Sequence, residues 1–406
     1  MNNRHYSILS KINTGWQLYK MSELANIKAG GTPSTFVEQF WVDGRIPWMN
    51  SGDLNKRFVF DVNGRITEQG QKNSSTFLVP KHSVLVGLAG QGKTRGTVAI
   101  NEIDLCINQS IAAIMPKSSD VYYLFLFYNL DSRYGELRKI SAGDGGRGGL
   151  NLSIIGNIDV LLPTFGEQKE IATILSTWDR AIERVQRLIE AKQRQKDQLV
   201  SQLLSGQKRF PGFQDEWKQV NLGTFLQLKF RKVVKPAGAY LRLGIRSHGK
   251  GTFTSVVDDP ETIALTHLFQ ARKDDLIVNI TFAWEGAIAL VGPDGDGALV
   301  SHRFPTYVFD TSKMLPEYFR HLMVTDRFFY ELDLISPGGA GRNRVMNKGD
   351  FLKIWVTIPG VEEQQKIASV LGGMDEQLGL LKKYLEKLKE QKKGLMQKLL
   401  TGEIRV

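Results

Sequence analysis

The sequence predicts an α+β chain in which two similar mixed α/β globular domains are separated by two long helices. We expect these helices to form an antiparallel intramolecular coiled coil with pseudo-twofold symmetry. Three observations predict this architecture: one block of sequence occurs twice, both copies carry a heptad pattern, and strand and helix signals precede each copy. The length of 406 residues also exceeds what one ordinary core requires.

The repeated block defines the order of the parts. The segment that begins at Glu167 recurs at Glu363, 196 residues later, and the same offset takes Gly206 to Gly402 without a gap. Because the match extends over a whole helix length, the chain is predicted to run domain, helix, domain, helix. The predicted boundaries are 1–165 and 209–361 for the two domains, and 166–208 and 362–406 for the helical regions.

Apolar residues recur at alternating steps of three and four in both copies, which is the heptad pattern of a coiled coil. At one position of this pattern both copies carry a lysine, Lys196 and Lys392, and polar residues at such positions tend to fix register and partner choice. The predicted interface residues are Ile171, Leu175, Trp178, Ile182, Val185 and Ile189 in the first helix, and Ile367, Leu371, Met374, Leu378, Leu381, Leu385 and Leu388 in the second.

These apolar stripes can be buried in three ways: each helix can pack on its own domain, pair with the other helix, or form a homodimer. The repeat favours pairing within the chain, because each helix follows its own domain and an antiparallel pair satisfies the repeat symmetry. A helix from Glu167 to Leu204 would be about 57 Å long at 1.5 Å per residue. Pro163 and Pro359 precede the helices, as expected of helix starts.

Composition restricts the partners and the chemistry. The formal net charge of +11 favours a polyanionic partner, although charge alone is weak evidence. Cys106 is the only cysteine, and the six histidines lack spacings such as HxxxH, so no metal site is predicted. Residues 1–14 lack the apolar segment of a signal peptide, and the apolar run 121–130 is too short to span a membrane. We therefore expect a soluble, cytoplasmic protein.

This organisation resembles the specificity subunit of type I restriction-modification systems, over essentially the whole chain. The resemblance implies that each domain is a target recognition domain for one half of a split site in double-stranded DNA. It also implies that the paired helices act as a spacer and dock two methyltransferase subunits, which restriction subunits can join. The residues that carry it are Trp16 and Trp217 at the domain starts, the junctions Pro163…Glu167-Gln168 and Pro359…Glu363-Gln364, and the helix ends Gly206 and Gly402.

The same resemblance implies that the chain is not an enzyme and holds no cofactor. S-adenosylmethionine would be bound by the methyltransferase subunits, and ATP by the restriction subunits. The sequence agrees, since it contains no Pro-Pro dipeptide and therefore lacks the Asn/Asp-Pro-Pro-aromatic motif of an adenine methyltransferase. Two other functions remain as alternatives: a coiled-coil scaffold whose globular halves bind protein, and a nucleotide hydrolase.

The hydrolase alternative depends on the segment 87–94, which matches the phosphate-loop pattern G-x4-G-K-[ST]. That motif requires a helix directly after its lysine, whereas the β-branched residues at 97–100 predict a strand. We therefore favour DNA contact by Gln91, Lys93 and Arg95 on a glycine-containing hairpin, the alternative being a solvated basic turn. Trp284 occupies the comparable turn of the second half, where it could stack on a ligand or pack internally.

Two further pairs of segments contain candidate DNA-binding residues. A glycine-rich segment with embedded arginine precedes the last strand of each half, and arginine suits both phosphate and guanine. The residues that follow an early strand in each half can also reach bases, or can cap the strand end instead. The candidates are Arg147, Arg342 and Arg344 in the glycine-rich segments, and Asn50, Ser51, Arg246 and Ser247 after the early strands.

Overall fold

The computed structural model describes residues 15–90, 92–141, 149–339 and 344–406. The chain divides into two compact units, the first made of Met1–Gln186 with Lys383–Val406 and the second of Arg187–Lys382. Each unit therefore combines one globular half of the sequence with part of each long helix. Within the described parts of the chain, no helix has both the length and the apolar character needed to cross a membrane.

The first unit contains short strands and helices, and two long helices contribute to both units. The strands are β1 Gln17–Lys20, β2 Ala25–Ala29, β3 Ile46–Met49, β4 Phe58–Val59, β5 Arg65–Ile66, β6 Leu78–Val79, β7 Val84–Gly87, β8 Val98–Asn101, β9 Leu105–Ile107, β10 Ile111–Pro116 and β11 Asp159–Leu162. The helices are α1 Met21–Leu24, α2 Glu68–Lys72, α3 Tyr123–Asp131, α4 Tyr134–Ile140 and α5 Leu152–Gly156, with the long α6 Phe165–Leu204.

The second unit repeats this pattern with different loop lengths. Its strands are β12 Lys218–Asn221, β13 Leu226–Lys229, β14 Lys232–Val234, β15 Tyr240–Ile245, β16 Thr252–Val257, β17 His267–Gln270, β18 Leu276–Val278, β19 Ile288–Leu290, β20 Leu299–Val300, β21 Thr306–Phe309 and β22 Trp355–Ile358. Its helices are α7 Pro316–Leu322, α8 Asp326–Leu334 and α9 Lys348–Phe351, with the long α10 Val361–Leu399.

The two units share most of their sheet topology, and differ in β4 of the first unit and β14 of the second. The order β2-β10-β7-β8 of the first unit corresponds to β13-β21-β18-β19 in the second, and β5-β3-β9-β6 corresponds to β16-β15-β20-β17. The neighbours β3 and β9 run parallel, and so do β15 and β20, whereas the other pairs in these four series are antiparallel. This agreement confirms the predicted similarity of the two mixed α/β halves.

The cores form where the sequence predicts apolar strands. All four residues of β7 and of β8 are buried, so these central strands are apolar on both faces. One side packs against the apolar helix α3, which includes the fully buried Phe125 and Tyr128. In the second unit β18 is likewise buried and packs with Phe319 of α7 and Phe351 of α9.

The long helices pair in an antiparallel sense within each unit. In the first unit, Ile171 and Leu175 near the start of α6 share a core with Met396 and Leu399 near the end of α10. In the second unit, Leu203 near the end of α6 shares a core with Ile367 and Leu371 near the start of α10. Both cores also include strand residues, so each helix packs on its own globular half as well as on the other helix.

Burial follows the predicted heptad positions. Leu378, Leu385 and Leu388 are buried in α10, and Met374 and Leu381 are half-buried. In α6 the middle positions are half-buried, whereas Ile171 and Leu175 at its start are fully buried. The half-buried middle positions of α6 are Trp178, Ile182, Val185 and Ile189.

The two lysines of the heptad pattern each bind an aspartate of the other helix. In the first unit Lys392 Nζ lies 2.6 Å from Asp179 Oδ1, and in the second Lys196 Nζ lies 2.5 Å from Asp375 Oδ1. Both members of one pair are related to those of the other by the 196-residue offset. These ion pairs provide the register-fixing contact that the sequence predicts for the lysines, because displacing the helices would leave a charge unpaired.

The repeated Trp and Glu residues form the same contact at the start of each long helix. Trp16 Nε1 donates to Glu167 Oε2 at 3.1 Å, and Trp217 Nε1 donates to Glu363 Oε2 at 3.1 Å. Arg405 and Arg209, also 196 residues apart, donate through two nitrogens to the same two glutamates. The pKa of each guanidinium is raised by this hydrogen bond to its glutamate.

Candidate nucleic-acid interface

Asn50 and Ser51 lie where β3 ends, as predicted. Asn50 caps the 3-10 helix Ser51–Lys56, because its side-chain oxygen accepts from Gly52 N at 2.8 Å. Leu54 of this helix is buried against the end of β7, where a Cβ atom on Gly87 would lie 3.1 Å from the leucine. The sequence left open that Asn50 caps the strand end; the structure shows it capping the following 3-10 helix, and its base contact stays a prediction.

The hairpin between β7 and β8 presents the Lys93 side chain to solvent. Gly90 has φ +128° and Gly92 has φ +78°, backbone conformations that favour glycine. The Lys93 carbonyl accepts from the Thr97 hydroxyl at 2.6 Å and from the Tyr134 hydroxyl of α4 at 3.1 Å. The hairpin backbone is therefore held while the exposed lysine ammonium is available to a ligand. Arg95 on the same hairpin is half-buried, and Gln91 lies outside the described residues.

The hairpin does not have the structure of a phosphate-binding loop. A turn and then β8 follow Thr94, so no helix N-terminus lies behind Lys93. Gly96 N donates to Gly87 O at 2.9 Å, which closes the segment as a hairpin. Leu88 N is also occupied, since it donates to Ser110 O at 2.8 Å. The strand that the sequence predicts after the lysine is therefore present, and the helix that a phosphate loop requires there is replaced by it.

Calorimetric titration with MgATP tests this conclusion. We expect no measurable heat of binding for the unmodified chain, and an identical trace for Lys93→Ala, because the backbone N–H groups that would hold phosphates are not gathered at a helix start. ATP binding that is present in the unmodified chain and lost in Lys93→Ala would contradict this interpretation and revive the hydrolase alternative.

In the second unit Arg246 and Ser247 follow β15, as predicted. The exposed Arg246 guanidinium lies 5.1 Å from the Phe253 ring centroid and donates to Thr252 O at 2.5 Å. Ser247 Oγ donates to Glu285 Oε2 at 2.9 Å. The turn containing Ser247 is therefore fastened to the loop that carries Trp284, so the structure brings these two predicted segments together.

Trp284 and Arg344 also meet in this unit. The Arg344 guanidinium lies 5.0 Å from the Trp284 ring centroid and donates to Asp333 Oδ1 at 2.6 Å. Its Nε donates to Ser336 O at 3.0 Å, so Arg344 stabilises the local fold whatever else it contacts. The predicted contacts at Arg147 and Arg342 lie outside the described residues.

A cleft of about 560 Å³ opens beside these residues in the second unit. It is lined by Arg242 and Phe253 of the β15–β16 hairpin, and by Asn279 and Glu285 of the facing loop. Most of the other lining residues are apolar, so the cleft combines apolar and aromatic walls with a few polar and charged groups.

Two pairs of polar residues near the predicted contact segments could not be identified from the sequence. In the first unit Thr32 follows β2, and its hydroxyl donates to Gln109 Oε1. In the second unit Lys348 Nζ donates to His302 O at 3.0 Å, and burial lowers the pKa of this lysine. No motif pointed to these residues, because they meet only once the strands are paired.

The chain is similar in sequence to known DNA specificity proteins. A family model described as "Type I restriction modification DNA specificity domain" matches residues 13–193. The specificity subunit of the Methanocaldococcus jannaschii type I restriction enzyme MjaIX is 32% identical over 179 residues, which cover 43% of this chain and 40% of that protein. The MjaVIII specificity subunit of the same organism is 21% identical over 98% of this chain and 94% of its own length.

Solved structures show the same fold. The protein described as "Type-I restriction-modification system S subunit from M. genitalium" is 16% identical with a TM-score of 0.58, and the match covers 96% of this chain and 97% of that one. The HsdS subunit from Thermoanaerobacter tengcongensis is 14% identical with a TM-score of 0.53, covering 97% and 98%.

The fold and the candidate sites define a class of protein. Two similar α/β units each include part of two long helices, and each unit has polar and basic loops at one end of its sheets. Residues 13–193 match the family of type I restriction-modification DNA specificity domains, and the chain as a whole is similar to type I restriction enzyme specificity subunits.

Proposed function

We propose that this chain is the non-catalytic DNA-recognition subunit of a type I restriction-modification complex. The observation that supports the proposal is the match of residues 13–193 to the DNA specificity domain family, together with the corresponding strand orders of the two units. Two such units suit a bipartite target, in which each unit contacts one group of base pairs. The net charge of +11 would add salt-sensitive attraction to the phosphates.

The partners follow from the same proposal. Double-stranded DNA is the ligand, and two methyltransferase subunits dock on the chain, with the long helices as spacer and docking surface. Restriction subunits then join the modification complex. S-adenosylmethionine and ATP would be bound by those partners, so that this chain contributes the choice of target sequence and no bond-making step.

Methylome sequencing of the host with and without this gene tests the proposal. We expect deletion to abolish adenine methylation at an asymmetric, bipartite motif, because the methyltransferase subunits lose the only source of sequence choice in the proposed complex. Complementation with the full-length gene is the control and restores the motif. An unchanged methylome after deletion would contradict the proposal and favour a scaffold whose units bind protein.

A further inference from the structure

One tight turn occurs at the same topological position in both units. In the first unit it follows β9: Ser110 N donates to Asn108 Oδ1 at 3.1 Å, and Ile111 N donates to Asn108 O at 3.2 Å. Asn108, the first residue of the turn, therefore accepts two hydrogen bonds from the turn backbone, one at its side chain and one at its carbonyl.

The second unit repeats these bonds after β20, the strand equivalent to β9. Arg303 N donates to Ser301 Oγ at 3.3 Å, and Phe304 N donates to Ser301 O at 3.0 Å. Equivalent residues are here 193 positions apart and differ in type, so the 196-residue repeat does not reveal them. Each turn thus presents two residues on a fixed backbone: Gln109 and Ser110 in one unit, His302 and Arg303 in the other.

Both turns adjoin the predicted contact segments of their own units. In the first unit Ser110 O accepts from Leu88 N of the Lys93 hairpin at 2.8 Å, and Asn108 N donates to Met49 O, next to Asn50, at 3.0 Å. In the second unit Arg303 O accepts from Ile280 N at 3.0 Å. The turns therefore lie within the polar edges from which the proposed function would contact DNA.

The presented side chains can distinguish bases. Gln109 is exposed, and because its Oε1 accepts from Thr32, its amide NH₂ is directed to donate outward. Arg303 is exposed and uses one guanidinium nitrogen to donate to Thr281 Oγ1 at 3.0 Å, which orients the group. An oriented guanidinium suits guanine O6 and N7, and an amide donor suits base acceptors in the major groove.

We propose that Gln109 of the first unit, and His302 with Arg303 of the second, are specificity-determining residues that contact base edges in the two halves of the DNA target. This proposal rests on the proposed function and adds the residues that select the bases. The fastened backbone matters because a rigid turn holds a donor in place, so a wrong base leaves that donor unpaired.

The test compares alanine variants at these three positions by methylome sequencing and by duplex binding of the purified complex. Gln109→Ala is expected to relax one or two base positions in one half of the motif, and Arg303→Ala positions in the other half, with discrimination falling about tenfold to a hundredfold. His302→Ala should alter the same half as Arg303→Ala. In each case the half contacted by the other unit stays unchanged.

Matched controls separate base contact from general effects. Gln17→Ala removes an exposed glutamine whose Oε1 also accepts from a hydroxyl, that of Tyr19, but which lies on β1. Arg272→Ala removes an exposed arginine before β18, at the opposite end of that strand from Asn279. Both controls should keep the original motif.

The outcomes distinguish the two proposals. If deletion of the gene abolishes the motif while the three turn variants, at unchanged melting temperature, discriminate every base pair as sharply as the unmodified complex, the turn assignment is wrong and the proposed function stands. If deletion leaves methylation unchanged, the proposed function fails first. A variant that melts early is replaced by Gln109→Asn or Arg303→Lys, which keep the turn polar and must show the same half-specific loss.

Discussion

Asp179→Ala is expected to destabilise the first unit by about 3 kcal/mol, because it leaves the buried Lys392 ammonium without its counter-ion. Asp179 also accepts from the Tyr128 hydroxyl at 2.8 Å and lies 3.5 Å from Arg57 Nη2. Burial already lowers the pKa of Lys392, against the opposing effect of Asp179. Hydrogen–deuterium exchange of the full chain measures this loss of stability locally. We expect faster exchange of the backbone amides in α3 and at the end of α10.

Asp375→Ala in the second unit is the matched control. Its partner Lys196 is 18% exposed at the side chain, against 9% for Lys392, so solvent screens the remaining charge better. We expect a loss of about 1 kcal/mol there. Equal and small effects of the two substitutions would show that both lysines are adequately solvated, and would contradict the argument from burial.

The pH dependence of Asp179→Ala has a definite sign. Without the aspartate the pKa of Lys392 falls further in the folded state, while the unfolded chain retains the ordinary lysine pKa of 10.5. The unfolded state then binds more protons than the folded state, so stability increases with pH. The deficit of this variant should therefore shrink as the pH is raised from 7 towards 10.

Acid is expected to destabilise the second unit through His321, by about 3 kcal/mol between pH 7 and pH 4. This residue of α7 is buried, and burial, assisted by Arg320, lowers its pKa from 6.5 to about 4, although Asp375 lies 3.9 Å away and opposes the shift. Below pH 6.5 the unfolded chain protonates the imidazole while the folded unit keeps it neutral. Stability is therefore complete above pH 6.5 and declines as the pH falls towards 4.

His321→Gln tests this prediction, since glutamine is polar and does not titrate. Urea denaturation from pH 7 to pH 4, followed by exchange in α7 and α8, should show a smaller acid loss in the variant than in the unmodified chain. His267→Gln, at an exposed position on β17, should leave the acid response unchanged. Parallel pH curves for the unmodified chain and His321→Gln would disprove a neutral buried imidazole.

The long helices could be predicted in detail because their information is local. A heptad pattern specifies which stripe is buried, and the copies at Ile171 and Ile367 are buried as expected. The lysines at 196 and 392 were identified as register-fixing positions from that pattern. Their partners Asp179 and Asp375 could not be assigned from that pattern, since a sequence does not show which turn of one helix faces which turn of another.

The candidate interface was predicted in part. Glycines with positive φ mark the Lys93 hairpin, and the strand after it is the one that the β-branched residues at 97–100 predict, which disfavours a phosphate loop. The sequence did not predict that Arg344 binds Asp333, or that Ser247 binds Glu285. These contacts compete with DNA contact for the same side chains, and whether each predicted residue reaches DNA remains a prediction.

The sequence by itself determined the duplicated plan, the two helices with their buried stripes, and the resemblance to a known family that follows from them. Periodicity and repetition are properties of the order of residues along the chain, so they can be recognised in the sequence alone. Only the tertiary structure decided that Gln109 lies beside Thr32, 77 residues away, and that Lys348 lies beside His302, 46 residues away. Such contacts depend on the order in which the strands pair. The packing of the whole unit sets that order, and no local sequence signal reveals it.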